Sequence, residues 1–479
     1  MKIFSRHKED LIKLDDSIAG ISKETINKIK TAWDESGNFK IQIKPDLPKS
    51  DETLLRELMV ECVNEKVGEI SKKSKIIHLG IIYINLSKKG KSRFLRILGR
   101  YFDVNTSILN EKINNLKNSN DENERINAEL ELSKSLVPPR VKILRQLVKL
   151  PNGFLFLKDM RRDLIPLIPT MPRLRKLDSD IKNLLITYFD INLLDLEEIT
   201  WNSPAILLEK LMEYEAVHEI SSWKDLKYRL LTNRKMYAFF HYKVPNDPLI
   251  FIEIALVKGL PNNIQNLLDK NIPPENPNLA DTAIFYSISN TQKGLKGISF
   301  GNFLIKRVVK ELSAEFPNLK NFATLSPIPK FRDCLENYPS EKFQELITKS
   351  EIKNLEKYSE SKDAKNILLE ILNTSWYKNE TLSNFLKKPL MRLCANYLLY
   401  SKKRKNNAFD PVAHFHLTNG SKIQQINWLG DTSEKGLKQS AGIMVNYNYE
   451  LKKIISNHEI YFAEGKVCIS KDARSWLKK

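Results

Sequence analysis

The sequence predicts an α+β protein in which a helical first part precedes a mixed α/β part. Two observations carry this prediction. Up to about residue 190, apolar residues recur at helical spacing, as they do across residues 51–70. After about residue 235, short runs of β-branched and aromatic residues appear, bounded by Pro, Asn and Gly. Strands and helices mixed in this way indicate an α/β or α+β domain.

The first part is predicted to be a bundle of about six to eight helices. Residues 91–116 and 121–136 repeat the helical spacing, and the prolines at 138 and 139 interrupt it. Residues 177–199 look like a last helix with a short sequel. No strand-like alternation occurs here. We place this bundle at residues 1–189 and a second domain at 190–479, and we expect the bundle to serve in interaction or oligomerisation.

Four strands and one helix open the second part. The strands are predicted at 235–244, 248–257, 282–289 and 321–328, and the helix at 301–316. The central strand of the sheet should include residues 285–289. Residues 340–405 are predicted to be mostly helical. Residues 412–430 look like two strands joined by a hairpin turn at Asn419-Gly420, and 442–451 could be a strand or the start of the next helix.

Composition limits the possible functions. The 479 residues contain no run of about 18 uncharged apolar residues, and the N-terminus lacks the apolar segment of a secretory signal. We therefore expect a cytoplasmic protein with no membrane partner. The four cysteines form no CxxC pair, which argues against a disulfide framework and a structural zinc site. The net charge of +19 comes from dispersed lysines, which argues against nucleic acid and suits a small polyanionic ligand.

A glycine-rich turn lies between the third strand and the following helix, in "AIFYSISNTQKGLKGISFGNFLIKRVVKEL". Gly294, Gly297 and Gly301 would let backbone N–H groups approach a pyrophosphate at a helix N-terminus. The spacing matches neither the Rossmann nor the Walker pattern. It is closer to the pyrophosphate loop of GNAT-type acetyltransferases. The alternative is a helix start whose glycines serve only close packing, and both interpretations stay open on these residues alone.

A narrower resemblance extends over most of the second half. That turn, followed by "FATLSPIP", "PLMRLCANYLL", "VAHFHLTNG" and "INWLGDTSEKGLKQSAGIMVNYNYE", resembles malonyl-CoA decarboxylase. The upstream segments "ITWNSPAILLEKLMEYEAVHEI" and "WKDLKYRL" resemble the same family. The segments occur in the family's order from about Trp201 to Tyr449. The helical first half matches the family's N-terminal domain only in kind and size.

The resemblance implies a GNAT-like catalytic domain that converts malonyl-CoA to acetyl-CoA and carbon dioxide. It also implies a homotetramer built as a dimer of dimers. We expect no cofactor or metal, because the malonyl thioester supplies its own electron sink and coenzyme A is part of the substrate. The implied catalytic residues are Ser326 of "TLSPIP", His416 of "FHLTNG" and Tyr449 of "VNYNY". The implied malonyl-CoA-binding residues are Lys296, Gly297, Ile298, Ser299, Phe300, Gly301, Asn302, Ser326 and His416. Some relatives carry an acidic residue at Ser299, so a carboxylate role there is not transferred.

The Ser/His pair is sufficient in type for this reaction. A histidine can deliver a proton because its ordinary pKa lies near neutrality, and a serine hydroxyl can donate or relay one. On the residues alone, Ser326 could instead be a strand-end hydroxyl. His416 could be an ordinary strand histidine that points the same way as His414.

Three other functions are alternatives to decarboxylation. A GNAT-type acyltransferase shares the fold, whereas a hydrolase would need the GxSxG elbow that "TLSPIP" lacks. A non-catalytic acyl-CoA sensor is the third alternative.

Overall fold

The computed structural model describes residues 42–64, 66, 68–188, 194–241, 247–298, 301–403 and 407–477. Up to residue 188 these residues contain α-helices and short 3₁₀ turns and no strand. The helical prediction is confirmed for this described range. The eight α-helices are α1 (Lys49–Val63), α2 (Glu69–Asn85), α3 (Lys88–Tyr101), α4 (Thr106–Lys117), α5 (Glu122–Ser135), α6 (Pro139–Lys149), α7 (Gly153–Leu164) and α8 (Arg175–Tyr188).

Helix α7 shows why these segments are helical. Phe156, Leu157, Met160 and Leu164 follow i, i+1, i+4, i+8 spacing, which places them on one face, and all four are fully buried. Phe156 packs edge-on against Tyr83 of α2, with ring centroids 5.6 Å apart. Burying an aliphatic or aromatic side chain contributes about 1.5–3 kcal/mol, so most of the stability of these helices comes from packing.

The second half contains an eight-stranded mixed sheet. Its strand order is β1-β2-β3-β4-β5-β8-β6, and β7 also pairs with β8. The β4–β5 pair is parallel, and every other pair whose register is known is antiparallel. The strands are β1 (Leu194–Ile199), β2 (Arg234–His241), β3 (Ile250–Val257), β4 (Thr282–Asn290), β5 (Asn321–Thr324), β6 (Ser326–Pro327), β7 (Lys422–Asn427) and β8 (Met444–Asn448).

Helices connect and flank these strands. The α-helices are α9 (Ala205–Tyr214), α10 (Trp223–Arg229), α11 (Ile264–Leu267), α12 (Gly301–Glu315), α13 (Phe331–Glu336), α14 (Ser340–Leu346), α15 (Lys349–Leu355), α16 (Ala364–Leu372), α17 (Glu380–Tyr400), α18 (Pro411–Thr418), α19 (Glu434–Ser440), α20 (Ile454–Glu464) and α21 (Lys471–Ser475). Helices α14 to α17 confirm the helical prediction for 340–405 in its described part. The predicted fold class is confirmed, and β4 occupies a central place in the sheet.

The sequel after the last bundle helix, to which the sequence analysis assigns no structure, is the strand β1. One prediction about secondary structure was wrong. The first half of the predicted 412–430 hairpin is the helix α18. Asp410 caps this helix and Pro411 occupies its first turn, a combination that favours a helix start. Asn419-Gly420 ends the helix, and Gly420 has the left-handed φ of +77° typical of that position.

The chain forms two compact units. The first contains the helical region up to Leu194 together with His241–Pro245 and Gln292–Ile298, and the second contains the rest of the sheet and its helices. The domain boundary at 189/190 stays a prediction. No helix in the described ranges combines the length and the apolar character that a bilayer crossing requires.

Candidate active site

Ser326 lies just after the point where the pairing with β4 ends, while the pairing with β8 continues on both sides of it. β5 pairs with β4 only as far as Thr324, opposite Phe285, although β4 continues to Asn290. After Leu325, the short strand β6 pairs with β8, with Ser326 opposite Val445. The backbone on both sides of Ser326 is thus held by strand pairing, and its side chain is buried.

His416 is positioned by the helix α18. The Asp410 carboxylate accepts hydrogen bonds from the N–H groups of Val412 (2.9 Å) and Ala413 (3.1 Å), which secures the helix start. At the other end, the His416 carbonyl accepts from the N–H groups of Asn419 and Ser421. The imidazole is therefore placed by a helix whose two ends are both anchored.

Ser326, His416 and Tyr449 form one hydrogen-bonded chain. His416 Nε2 lies 3.0 Å from Ser326 Oγ, and His416 Nδ1 lies 2.7 Å from Tyr449 Oη. Ser326 Oγ donates to Thr324 Oγ1 at 2.9 Å. Because the single serine proton points to Thr324, Nε2–H donates to Ser326, and Nδ1 accepts from the Tyr449 hydroxyl.

Burial keeps the hydrogen-bonded side chains of Ser326, His416 and Tyr449 electrically neutral. All three side chains are at most 5% exposed. Desolvation disfavours the imidazolium and lowers the pKa of His416 to about 3. The same effect raises the pKa of Tyr449 well above its ordinary value, so the phenol keeps its proton. A proton-delivering histidine with a pKa near neutrality, as expected from its residue type, is therefore not what the structure shows, because burial lowers the pKa of His416. A neutral imidazole can still relay a proton from one nitrogen to the other.

Two further residues support the chain and were not predicted. Thr324 Oγ1 accepts hydrogen bonds from the Ser326 hydroxyl at 2.9 Å and from the Tyr447 N–H at 3.2 Å. The Tyr447 ring stacks on His416, with centroids 4.6 Å apart. The i, i+2 spacing of Thr324 and Ser326, and of Tyr447 and Tyr449, places each pair on the same side of an extended chain and could have indicated both.

His414 does not share the environment of His416. Because α18 is a helix, residues two positions apart are rotated by about 200° around its axis. Their side chains therefore point to nearly opposite sides. The His414 Nδ1 lies 2.9 Å from Tyr461 Oη, and His414 is only half-buried. The expectation that both histidines point the same way is wrong, and the structure separates them clearly.

Five of the seven predicted residues of the glycine turn are described. Lys296 and Gly297 are exposed and Ile298 is half-buried. Gly297 has a φ of +76°, which favours glycine. Gly301 and Asn302 begin helix α12, whereas Ser299 and Phe300 lie outside the described residues. Gly294 has a packing role, since an added Cβ would lie 2.0 Å from the Lys158 carbonyl oxygen.

The described residues thus combine a helical unit with a mixed-sheet unit, and the mixed-sheet unit contains the buried Ser–His–Tyr hydrogen-bonded chain. Within the described ranges, no three His, Cys, Asp or Glu side chains gather closely enough to hold a metal ion.

Comparisons with known proteins specify the family. Residues 192–479 match the family model "Malonyl-CoA decarboxylase C-terminal domain", and residues 102–189 match "Malonyl-CoA decarboxylase N-terminal domain". The chain belongs to the malonyl-CoA decarboxylase family, as the sequence resemblance predicted.

Curated relatives and solved structures agree with this family. "Malonyl-CoA decarboxylase, mitochondrial" from Rattus norvegicus is 39% identical over 362 residues, covering 73% of each chain. The protein of the same name from Anser anser anser is 38% identical over 353 residues, covering 71% of this chain and 70% of the relative. The crystal structure of malonyl-CoA decarboxylase from Rhodopseudomonas palustris superposes with a TM-score of 0.79 at 36% identity, covering 88% of this chain and 99% of that one. The Agrobacterium vitis enzyme gives 0.74 at 34% identity, covering 90% of this chain and 100% of that one.

Proposed function

We propose that this chain decarboxylates malonyl-CoA to acetyl-CoA and carbon dioxide, using Ser326, His416 and Tyr449. The observation that carries the residue assignment is the hydrogen-bonded chain Ser326 Oγ–His416–Tyr449 Oη in a member of this family. The reaction breaks the bond between the carboxylate carbon and Cα. The electron pair moves into the thioester carbonyl to form an enolate, and one proton then adds to Cα.

The substrate supplies its own electron sink, so the proposal includes no metal or organic cofactor. The protein must stabilise the enolate oxygen and deliver the proton. A preorganised donor at a developing oxyanion lowers the activation free energy by roughly 3–4 kcal/mol. A positioned proton donor contributes roughly 10²–10⁴-fold.

In this mechanism the proton moves along neutral groups. Ser326 turns its hydroxyl from Thr324 to the substrate and protonates Cα. His416 Nε2–H restores the serine proton, while the Tyr449 hydroxyl gives its proton to Nδ1. In the same step the Tyr449 oxygen takes up a solvent proton, so no buried phenolate forms and one proton is taken up per turnover. No step requires an imidazolium, in keeping with the low pKa of His416.

The glycine turn is proposed to hold the coenzyme A pyrophosphate. Its residues Lys296 to Asn302 combine a glycine in the left-handed conformation at 297 with the start of α12. The first N–H groups of a helix have no partner within the helix and favour an anion. The thioester-binding roles of Ser299 and Phe300 rest on the family resemblance.

One assay separates this proposal from its rivals. The purified protein is incubated with malonyl-CoA while acetyl-CoA, carbon dioxide and free coenzyme A thiol are all measured. Decarboxylation predicts equal amounts of acetyl-CoA and carbon dioxide, with no thiol. Thiol release without carbon dioxide would indicate a hydrolase. Acylation of an added amine by acetyl-CoA would indicate an acyltransferase, and no turnover at all would leave a sensor.

Two expectations remain as proposals about the cellular protein. The homotetramer is tested by the mass of the native particle in solution. The cytoplasmic location is tested by cell fractionation, because the curated relatives from Rattus and Anser have names that state a mitochondrial location.

A further inference from the structure

Helix α7 holds the glycine turn in place. The Arg161 guanidinium is 4% exposed, and its Nη1 donates to the carbonyl oxygens of both Gly294 and Lys296 at 2.8 Å. Its Nε donates to Asp178 Oδ1 of α8 at 2.8 Å. A planar guanidinium suits this task because its donors keep a fixed geometry. The carbonyl side of the turn is therefore bound to the helical region.

A second contact sets how closely the turn approaches α7. The Lys158 ammonium donates to Gln292 Oε1 at 2.6 Å. Gly294 packs directly on the Lys158 backbone, where a Cβ would lie 2.0 Å from the carbonyl oxygen. The turn thus follows the surface of one helix from Gln292 to Lys296.

The position of the Lys296 carbonyl determines where the next N–H points. In a planar trans peptide the C=O and the following N–H point in opposite directions. Since the Lys296 carbonyl faces Arg161, the Gly297 N–H faces away from it. This N–H makes no hydrogen bond within the described part of the chain. It is therefore available to an acceptor on the exposed side of the turn.

A lysine of helix α8 lies beside Gly297. An added Cβ on Gly297 would be 3.7 Å from Lys182 Nζ. Lys182 is half-buried, and among the described residues it forms no hydrogen bond or ion pair. A backbone donor and an ammonium without a partner thus lie side by side, an arrangement that favours a phosphate oxygen.

We infer that the helical region builds part of the coenzyme A site. Lys182 binds a phosphate of coenzyme A beside the Gly297 N–H, and Arg161 is a positioning residue that holds the turn so that this N–H faces the phosphate. The inference rests on the proposed function, because it assumes that the turn binds the coenzyme A thioester. It gives the helical region a part in substrate binding in addition to the expected role in oligomerisation.

The first test is Lys182→Gln. The KM for malonyl-CoA should rise about tenfold with little change in kcat, since one charge-assisted contact of that strength is lost far from the reacting carbon. The difference should shrink at high ionic strength because exposed charges are screened. Lys117→Gln, which removes an exposed charge at the end of α4, is the matched control and should leave KM at the wild-type value.

Truncated substrates separate phosphate binding from a general structural effect. The Lys182→Gln defect should disappear with malonyl-pantetheine, which has no phosphate. If the defect persists with malonyl-3′-dephospho-CoA, Lys182 contacts the diphosphate, and if it disappears there, Lys182 contacts the 3′-phosphate. An equal loss with malonyl-pantetheine, or a wild-type KM for malonyl-CoA, would overturn the inference.

Arg161→Lys tests the positioning role. The variant keeps a positive charge opposite Asp178, but one ammonium cannot reproduce the fixed fork that reaches both carbonyls and the carboxylate. We expect a higher KM for malonyl-CoA, no defect with malonyl-pantetheine and a normal circular dichroism spectrum. A wild-type KM would refute the role of Arg161.

Calorimetry with coenzyme A and with pantetheine provides a readout that does not depend on turnover. Lys182→Gln should weaken the binding of coenzyme A and leave the binding of pantetheine unchanged. If the wild-type protein binds coenzyme A more tightly than Lys182→Gln does, but releases no carbon dioxide from malonyl-CoA, the proposed function fails while the binding inference stands. If it decarboxylates malonyl-CoA and Lys182→Gln binds coenzyme A normally, only the inference fails.

Discussion

At the scale of single residues, burial decides how His416 can act. The imidazole has hydrogen-bond partners on both nitrogens and is neutral at physiological pH, because desolvation lowers its pKa to about 3. Serine and tyrosine at its two nitrogens make it a neutral relay. A histidine with a carboxylate partner would instead be stabilised as an imidazolium.

We expect His416→Asn and Ser326→Ala each to lower kcat by roughly 10²–10⁴, since each interrupts proton delivery. The double variant should cost less than the sum of the two in free energy, because residues that work as a unit are not additive. His414→Asn is the matched control and should have a mild effect, since His414 contacts Tyr461 instead. The measurement is carbon dioxide release under saturating malonyl-CoA. Near-normal release by His416→Asn would exclude the mechanism.

His416 also makes the folded protein less stable as the pH falls. Its pKa is about 3 in the folded protein and about 6.5 in an unfolded chain. Between these values the unfolded state binds the extra proton, so stability present above pH 6.5 is lost as the pH falls. At pH 5 the loss is roughly 2 kcal/mol. Urea unfolding at pH 7.5 and pH 5 should therefore show a smaller acid destabilisation for His416→Asn than for the wild type.

The same comparison contains its own control. Burial lowers the pKa of His218 to about 4. His218 is present in both proteins, so its contribution to the acid destabilisation cancels in the comparison. Equal acid destabilisation of the two proteins would mean that His416 is not held neutral by burial.

At the scale of elements, the short helix α18 carries the reactive imidazole, and its start determines where that imidazole lies. Asp410 accepts from two N–H groups of the helix, from the Lys330 N–H at 3.2 Å and from the Tyr397 hydroxyl at 3.3 Å. Asp410 therefore anchors the helix to the chain that follows β6 and to α17.

Asp410→Ala should lower both stability and kcat. Loss of an N-cap costs about 0.5–2 kcal/mol, and release of the helix start should move His416 away from Ser326. Asp363→Ala is the matched control. Asp363 caps α16 by accepting a hydrogen bond from the Asn366 N–H at 3.0 Å. That variant should lose about 1 kcal/mol of stability and keep its kcat. Thermal unfolding and steady-state kinetics measure both effects. An equal loss of kcat in the two variants would argue against a specific role for Asp410.

At the scale of the molecule, the mixed-sheet unit contains a buried ionic network in addition to its apolar core. Arg229 donates to both carboxylate oxygens of Glu253, at 3.1 and 3.3 Å, and to the carbonyl oxygens of His218 and Glu219. Glu253 lies on β3 and is completely buried. Burial raises the pKa of its carboxyl to about 8, although the Arg229 charge acts in the opposite direction. Removing one partner of a buried pair leaves the other without compensation, which is far more costly than losing an exposed pair.

Arg229→Met should therefore destabilise the protein by about 3–5 kcal/mol. The matched control is Arg125→Met, which removes an exposed ion pair with Glu129 on α5 and should cause no measurable change. Adding Glu253→Gln to Arg229→Met should recover part of the loss, because a buried amide has no ionisable carboxyl that needs a cationic partner. Thermal unfolding of the four proteins provides the comparison. Similar melting temperatures for the Arg229 and Arg125 variants would contradict the assignment.

The sequence by itself determined the division into a helical part and a mixed α/β part, the central strand β4 and the family. Local spacing of apolar residues dictates helices and strands, and the long matching segments from Trp201 to Tyr449 are specific. Local signals at Asp410-Pro411 and Asn419-Gly420 also indicate the helix α18, whereas the alternation of His414 and His416 favours a strand.

The tertiary structure alone decided three things. It determined which histidine meets Ser326, because that depends on the direction of each side chain on α18. It decided the neutral state of His416, because desolvation depends on all the chain segments that cover the ring. It also brought Arg161 and Lys182 to a turn more than a hundred residues later in the chain. Contacts between segments so far apart follow from packing, for which the spacing of residues along the chain contains no signal.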